Sequence, residues 1–225
     1  MTKLSQAIAL ATAMTAGLAA TTTQAADIEV SASAAVANMY LWRGINLGSA
    51  GETGNGVPAI SGDLSVGVAG AYAGVWTSSG DAEYGQEYDL YLGYGGETGD
   101  FSYDLSIWSY NYSDGGATDE TFTRNSEVIL GMGFMGAEVG IYKQVGSDVD
   151  NDNMYYSLGY GISSFSGLVG YTDVGARGGD YTHLDLTYAY NDNISFTVSK
   201  IIDVETDGLD EDPKVVVSYS LPIEL

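Results

Sequence analysis

The chain has 225 residues, with 30 acids against 7 bases and a formal charge of -23, a balance that excludes a nucleic-acid surface, which needs a basic stripe. It holds no cysteine and one histidine, so disulfides, zinc–thiolate sites, cysteine catalysis and histidine-rich metal clusters are excluded as well. A hydrophobic fraction of 45% beside 16% charged residues leaves enough apolar side chain to order the chain despite its acidity.

Residues 1–25 read as an export signal. Lys3 supplies the positive start, residues 7–20 form an uncharged apolar run, and Thr23 and Ala25 place small residues where a signal peptidase reads, so cleavage is expected after Ala25. The run is short of the ~20 residues that a spanning helix needs. The expected mature domain is 26–225, and nothing later in it is long and apolar enough for a transmembrane helix.

After Asp27 the pattern has period two throughout. Tyr88, Leu90, Leu92 and Tyr94 alternate with Glu87, Asp89, Tyr91 and Gly93, and similar runs recur down the chain. The pattern predicts strands near 28–45, 58–69, 71–77, 86–95, 100–112, 122–134, 137–145, 154–162, 165–173, 181–190, 194–202 and 214–225. Most exceed the ~5–6 residues of soluble strands and suit the ~9–11 of membrane-barrel strands. The connections alternate between long (46–57, 78–85, 113–121, 146–153, 174–180, 203–213) and short. More than half of the 30 acids fall in the long ones. The prediction is an all-β fold: a closed up-and-down antiparallel transmembrane β-barrel of about 12 strands, with short periplasmic turns and long acidic extracellular loops. Aromatic residues near strand ends (Tyr40, Trp42, Trp76, Tyr94, Phe101, Trp108, Tyr110, Phe134, Tyr190) add to it. So does the terminal strand, where Val215, Val217, Tyr219, Leu221, Ile223 and Leu225 form an apolar face of the kind the barrel-assembly machinery would read. A soluble secreted β-sandwich also alternates, but would extract without detergent.

Parity assigns the faces. Asp63, Glu87, Asp89, Asp104, Glu127, Glu138 and Asp185 are expected to line the pore, where His183, Lys214 and Arg43 are the basic groups available to oppose them. Tyr91, Trp108, Tyr110, Tyr142 and Tyr155 share this face, either filling a narrow pore or forming a binding slide, and recurrent glycines are expected to leave lumen space. Arg124, Lys143 and Lys200 fall on the apolar face at the long-loop ends. A charge at mid-membrane costs ~2–4 kcal/mol but little at the interface, so these three are expected to form a rim facing lipopolysaccharide phosphates.

Two motifs fail. Outer-membrane acyl hydrolases place a serine two residues after a strand histidine, and here that position is Asp185. Asp148, Asp150 and Asp152 open like a calcium loop, but an EF-hand needs Gly at position 6 and Glu at position 12, where Asn153 and Gly159 stand. Loose divalent binding by these loop acids is the remaining metal chemistry, and no cofactor is expected.

Ala37-Asn38-Met39-Tyr40-Leu41-Trp42-Arg43-Gly44-Ile45 resembles the opening Y-x-x-R-G-I signature of the TorF porin family. Residues 58–64, 72–76, Glu87-Tyr88-Asp89-Leu90-Tyr91-Leu92-Gly93-Tyr94 and 125–128 are similar to its later blocks; the Ser-Gln that usually follows Arg-Gly-Ile is here Asn46-Leu47. The resemblance implies a barrel and a porin but no substrate. The expected function is an outer-membrane channel for passive diffusion of small solutes or ions, preferring cations. The alternatives are a non-conducting barrel for adhesion or envelope architecture and, behind it, a barrel lipid hydrolase. Expected partners are outer-membrane lipid, lipopolysaccharide and the assembly machinery, with no nucleic acid.

Overall fold

The computed structural model describes residues 28–49, 56–113, 125–145, 153–175 and 178–223. Twelve antiparallel strands close into a barrel: β1 (Glu29–Ala37), β4 (Ala59–Val68), β5 (Ala71–Asp81), β6 (Gly85–Thr98), β7 (Phe101–Tyr112), β8 (Ser126–Phe134), β9 (Ala137–Val145), β10 (Met154–Ile162), β11 (Phe165–Asp173), β12 (Tyr181–Ala189), β13 (Ile194–Val204) and β14 (Lys214–Ile223). Two further strands, β2 (Leu41–Trp42) and β3 (Ile45–Asn46), pair only with each other.

Each barrel strand pairs with its sequence neighbour, and β1 closes the ring on β14 from Ala32↔Ile223 to Ala37↔Ser218. Closure is forced, because lipid offers no hydrogen-bond partner to an open sheet edge. The period-two pattern gives the barrel two unlike faces. Leu64, Leu90, Leu92, Leu105, Ile107, Leu158, Val169, Leu186, Val198 and Val217 stand exposed on the outside as an apolar belt. Near the short turns Tyr94, Phe101, Tyr103, Phe134, Phe165 and Tyr188 ring it; Phe165 and Tyr188 stack with centroids 5.0 Å apart. This is the aromatic girdle of a bilayer-spanning barrel.

Of the strand-end aromatics, Tyr40, Trp76, Trp108 and Tyr110 are buried inside, in one cluster with Tyr72, Tyr91, Ile129, Tyr142 and Tyr155, so that Trp108 and Tyr110 lie on the inner face parity gave them. Lumen glycines carry this packing rather than leaving space. In register, Gly74 pairs Tyr91 and Tyr72 pairs Gly93. Each ring lies over the opposite glycine: a Cβ on Gly74 would stand 2.4 Å from the Tyr91 ring, and one on Gly93 2.4 Å from the Tyr72 hydroxyl.

The expected first strand, 28–45, stops at Ala37. There Asn38 turns the chain out of the ladder: its side chain donates to Val215 O (3.0 Å) and accepts from Val217 N (2.7 Å). The chain then enters the lumen as the β2–β3 hairpin, with Leu41↔Asn46 and Trp42↔Ile45 paired around Arg43-Gly44. Both turn residues have positive φ (47° and 82°), the two-residue turn that suits a hairpin's twist. Alternation continues through Tyr40 and Trp42, so the period alone does not reveal the reversal. The expected long loop 78–85 is also different: β5 and β6 continue to Asp81 and from Gly85, around a register shift between Ser78 and Asp81. Beyond the bilayer no apolar face is needed, so the polar ladder persists without the sequence signal.

Candidate functional site

The hairpin is held inside the barrel by ring packing, hydrogen bonds, an ion pair, cation–π contacts and close backbone approach. Tyr40 packs on Trp76 (centroids 6.1 Å) and its hydroxyl donates to Glu87. Arg43 makes a bidentate pair with Glu127, Nη1 to Oε1 at 2.9 Å and Nη2 to Oε2 at 2.7 Å, with both side chains 10% exposed. Its guanidinium carbon also lies over three rings: Trp42 at 4.5 Å, Tyr142 at 4.9 Å and Tyr155 at 4.2 Å. Gly44 lies against His183, where a Cβ would stand 2.7 Å from the histidine Cβ, so only glycine fits both the space and the φ. Behind the hairpin, Leu47 N donates to Tyr40 O (2.8 Å) and Ala82 N to Leu47 O (3.0 Å). A segment of the first long connection thus crosses the lumen from β1 to β8, β9, β10 and β12.

Parity residues meet partners that parity does not reveal. Tyr91 reaches over Gly74 to donate to Asp63 (2.7 Å), and Tyr72 over Gly93 to donate to Asp104 (2.5 Å). Tyr112 donates to Glu87 (3.0 Å), and Tyr110 to Glu127 (2.8 Å). Asp185 Oδ1 lies 3.2 Å from His183 Nδ1, and Tyr155 Oη 3.0 Å from His183 Nε2. Glu138 is inward and half-buried. Asp89 differs from all of these. It is 0% exposed, and neither carboxylate oxygen has a side-chain hydrogen-bond partner among the described residues. In register it lies between Trp76 on β5 and Tyr110 on β7. Lys214 is buried at an inward position, but its ammonium turns into the last long loop, donating to Asp210 O (2.6 Å) and Asp212 O (3.1 Å). Among the described residues this leaves Arg43 as the Lys or Arg side chain ion-paired to a lumen carboxylate.

Lys143 on β9 and Lys200 on β13 are exposed on the outer face, in the long-loop halves of their strands. Arg124, Asp148, Asp150, Asp152, Leu225 and the 1–25 signal lie outside the described residues.

Chemically, this interior sets carboxylates beside aromatic faces, and Arg43 is held between the two. Carboxylates supply charge, and aromatic faces and tyrosine hydroxyls supply the walls. The His183–Asp185 pair has the base-and-orienter form of a hydrolase. Yet both ring nitrogens face Tyr155 and Asp185, and His183 is 1% exposed inside the barrel, whereas bilayer lipid meets only the outer face. Sequence reasoning put the carboxylates and Arg43 on the inner face but did not reveal the β2–β3 hairpin that carries Arg43 into the lumen. The signal available was Arg43-Gly44, a turn pair inside an expected strand.

A family model described as a bacterial protein of unknown function (Gcw_chp) matches residues 21–210. That description assigns no activity, so the likeness to TorF porins rests on the motifs alone. No curated protein matches the sequence. Among solved structures, the fold is similar to OccAB4 of Acinetobacter baumannii at 14% identity and a TM-score of 0.43, covering 76% of this chain and 56% of that one. It is similar to outer membrane phospholipase A of Escherichia coli at 11% identity and a TM-score of 0.44, covering 86% and 90%. OccAB3 of Acinetobacter baumannii matches at 11% identity and 0.39, covering 74% and 56%. The chain spans about half the length of the two Occ proteins. Likeness at this level transfers no residue role, substrate or activity.

Proposed function

The chain belongs to the Gcw_chp family of bacterial proteins of unknown function, and we propose that it is an outer-membrane porin-like channel for small cationic solutes or ions, closed here by its own first connection. One observation carries the reading. The element that blocks the lumen is a hairpin of two two-residue strands, bound to the wall mainly by side chains, with a backbone hydrogen bond from Ala82 behind it, and not by sheet ladders. Such an element can leave while the barrel stays closed on itself. Behind it the lumen presents carboxylates, and a low-dielectric wall focuses their field toward cations. The export signal expected at residues 1–25 and the outward apolar belt support an outer-membrane location for the barrel. Lys143 and Lys200, with Arg124, are then suited to lipopolysaccharide phosphates.

A second reading is a sealed barrel with an architectural role. It is favoured by the tyrosine–tryptophan layer, where Tyr91 stacks on Trp108 at 4.1 Å and both are buried. A hydrolase reading has no support from the lumenal, enclosed position of His183. Liposome swelling separates the first two. Protein refolded into liposomes should admit small amines faster after Glu127→Gln, and anionic solutes of equal size more slowly than the amines. Swelling no faster than in protein-free liposomes, for both native protein and variant, would leave the sealed barrel.

A further inference from the structure

The lumen already binds a guanidinium, that of Arg43. Apart from Trp42, the groups around it belong to the barrel wall: Glu127 on β8, Tyr142 on β9 and Tyr155 on β10, with Tyr110 on β7 orienting the carboxylate. These four strands are consecutive, and the ladders fix the side chains relative to one another; Tyr142 and Tyr155 are direct register partners. The cage therefore does not depend on the hairpin for its shape. Its chemistry is selective. A carboxylate that takes two parallel N–H bonds matches a planar fork, and an ammonium cannot reproduce that pattern. Aromatic faces at 4.2 and 4.9 Å favour a weakly hydrated organic cation over a strongly hydrated metal ion.

A second observation points the same way. Asp89, wholly buried and with no side-chain hydrogen-bond partner or ion pair among the described residues, is the register neighbour of Tyr110, whose hydroxyl sits on Glu127. The tyrosine thus links a carboxylate that has its cation to one that has none. Burying a carboxylate without a cation is costly, and Glu127 avoids that cost through Arg43.

We infer that the Glu127–Tyr142–Tyr155 cage is a binding site for guanidinium-bearing solutes, that Arg43 is a tethered occupant which incoming solute displaces, and that Asp89 is the next carboxylate such a cation meets. The inference rests on the channel reading for the solute's route into the lumen. Because Arg43 is attached to the wall by a short segment, its effective concentration at the cage is in the millimolar range or above. Free solute therefore binds the native protein weakly and a protein lacking the Arg43 side chain well.

The test is isothermal titration of detergent-refolded full-length protein with methylguanidinium, using methylammonium as the comparison cation. Folding of each variant is checked first by heat-modifiable gel migration. Arg43→Ala should bind methylguanidinium saturably, at least tenfold more tightly than the native protein and more tightly than it binds methylammonium. Arg43→Ala combined with Glu127→Gln should lose at least tenfold of that affinity. Where Arg43→Ala does not refold, Arg43→Gln takes its place, and methylguanidinium should raise its unfolding temperature in a concentration-dependent way. Absence of saturable binding in a folded Arg43 variant would overturn the site, as would equal binding with Glu127 replaced. Titration in detergent requires no solute flow, so the two readings fail separately. Binding without liposome swelling keeps the site and sinks the channel, whereas swelling without binding sinks the site and keeps the channel.

Discussion

Replacing Glu127 by glutamine removes one negative charge from the wall and almost no volume. In the native barrel that charge receives two hydrogen bonds from Arg43, at 2.9 and 2.7 Å, with both side chains 10% exposed. Removing one partner of a buried ion pair costs ~3–5 kcal/mol, because the other charge is left uncompensated. Here the two wall rings around the guanidinium, Tyr142 and Tyr155, remain, and cation–π contacts retain ~0.5–2 kcal/mol of its stabilisation. The low end, about 3 kcal/mol, is therefore expected, and at ~1.4 kcal/mol per factor of ten the withdrawn hairpin should be about 100-fold more populated. Trypsin reads this directly, since it cuts after Arg43 only when the hairpin has left the lumen. Cleavage there should accelerate by about two orders of magnitude in Glu127→Gln, as expected where opening is fast relative to cutting. Glu138→Gln, which alters a half-buried inward carboxylate on the adjacent strand, should leave the rate unchanged. Equal rates in native protein and Glu127→Gln would refute the ion pair as the group that holds the hairpin in place.

Three further outcomes follow from the packing and the barrel. Gly93→Ala sets a Cβ 2.4 Å from the Tyr72 hydroxyl and 2.8 Å from Ser106 Cβ, an overpacking expected to cost ~1–3 kcal/mol in urea unfolding, whereas Gly131→Ala meets only Asp104 Cβ at 3.6 Å and should be tolerated. In the loop after β11, the Tyr171 hydroxyl and the Val174 N–H hold the Asp180 carboxyl below the usual carboxylate range. Because the folded-state value is the depressed one, this contact stabilises the loop above the ordinary carboxylate range and is lost as pH falls through the lowered value. Tyr171→Phe should move the Asp180 titration, followed by NMR, back upward, and an unmoved titration would exclude the hydroxyl as its cause. The native protein should fractionate with the outer membrane and migrate faster on gels before boiling than after; recovery in the soluble periplasm would contradict the barrel's assignment to that membrane.

The barrel was legible because its two faces are chemically opposite. Strands β9, β10 and β11 begin and end where the alternation does, since Met135-Gly136 and Ser163-Ser164 interrupt the pattern abruptly. Extensions such as Ser79–Asp81 were not legible, because a ladder standing in water needs no apolar side. The hairpin was hidden for a different reason. Tyr40 and Trp42 are aromatic both in an outward-facing strand and in an aromatic-lined lumen, so their spacing fits either course. Only the positive φ at Arg43 and Gly44 separates them, and a non-glycine residue does not announce that conformation in sequence. Parity sorted Asp63, Asp89 and Asp104 onto one face, but the tyrosine partners of Asp63 and Asp104 stand two strands away. Those contacts depend on barrel curvature and on glycine in the intervening strand, which no single strand's pattern contains.

A carboxylate-lined lumen closed by a displaceable hairpin is tested most directly by planar-bilayer recording in a potassium chloride gradient, comparing native protein with Glu127→Gln. The native barrel should remain mostly closed. The variant should show discrete openings whose zero-current potential reports cation preference, despite having lost one lumen carboxylate, and that preference should weaken as salt screens the lumen field. A variant no more open than the native protein, or open channels that prefer anions, would contradict the account.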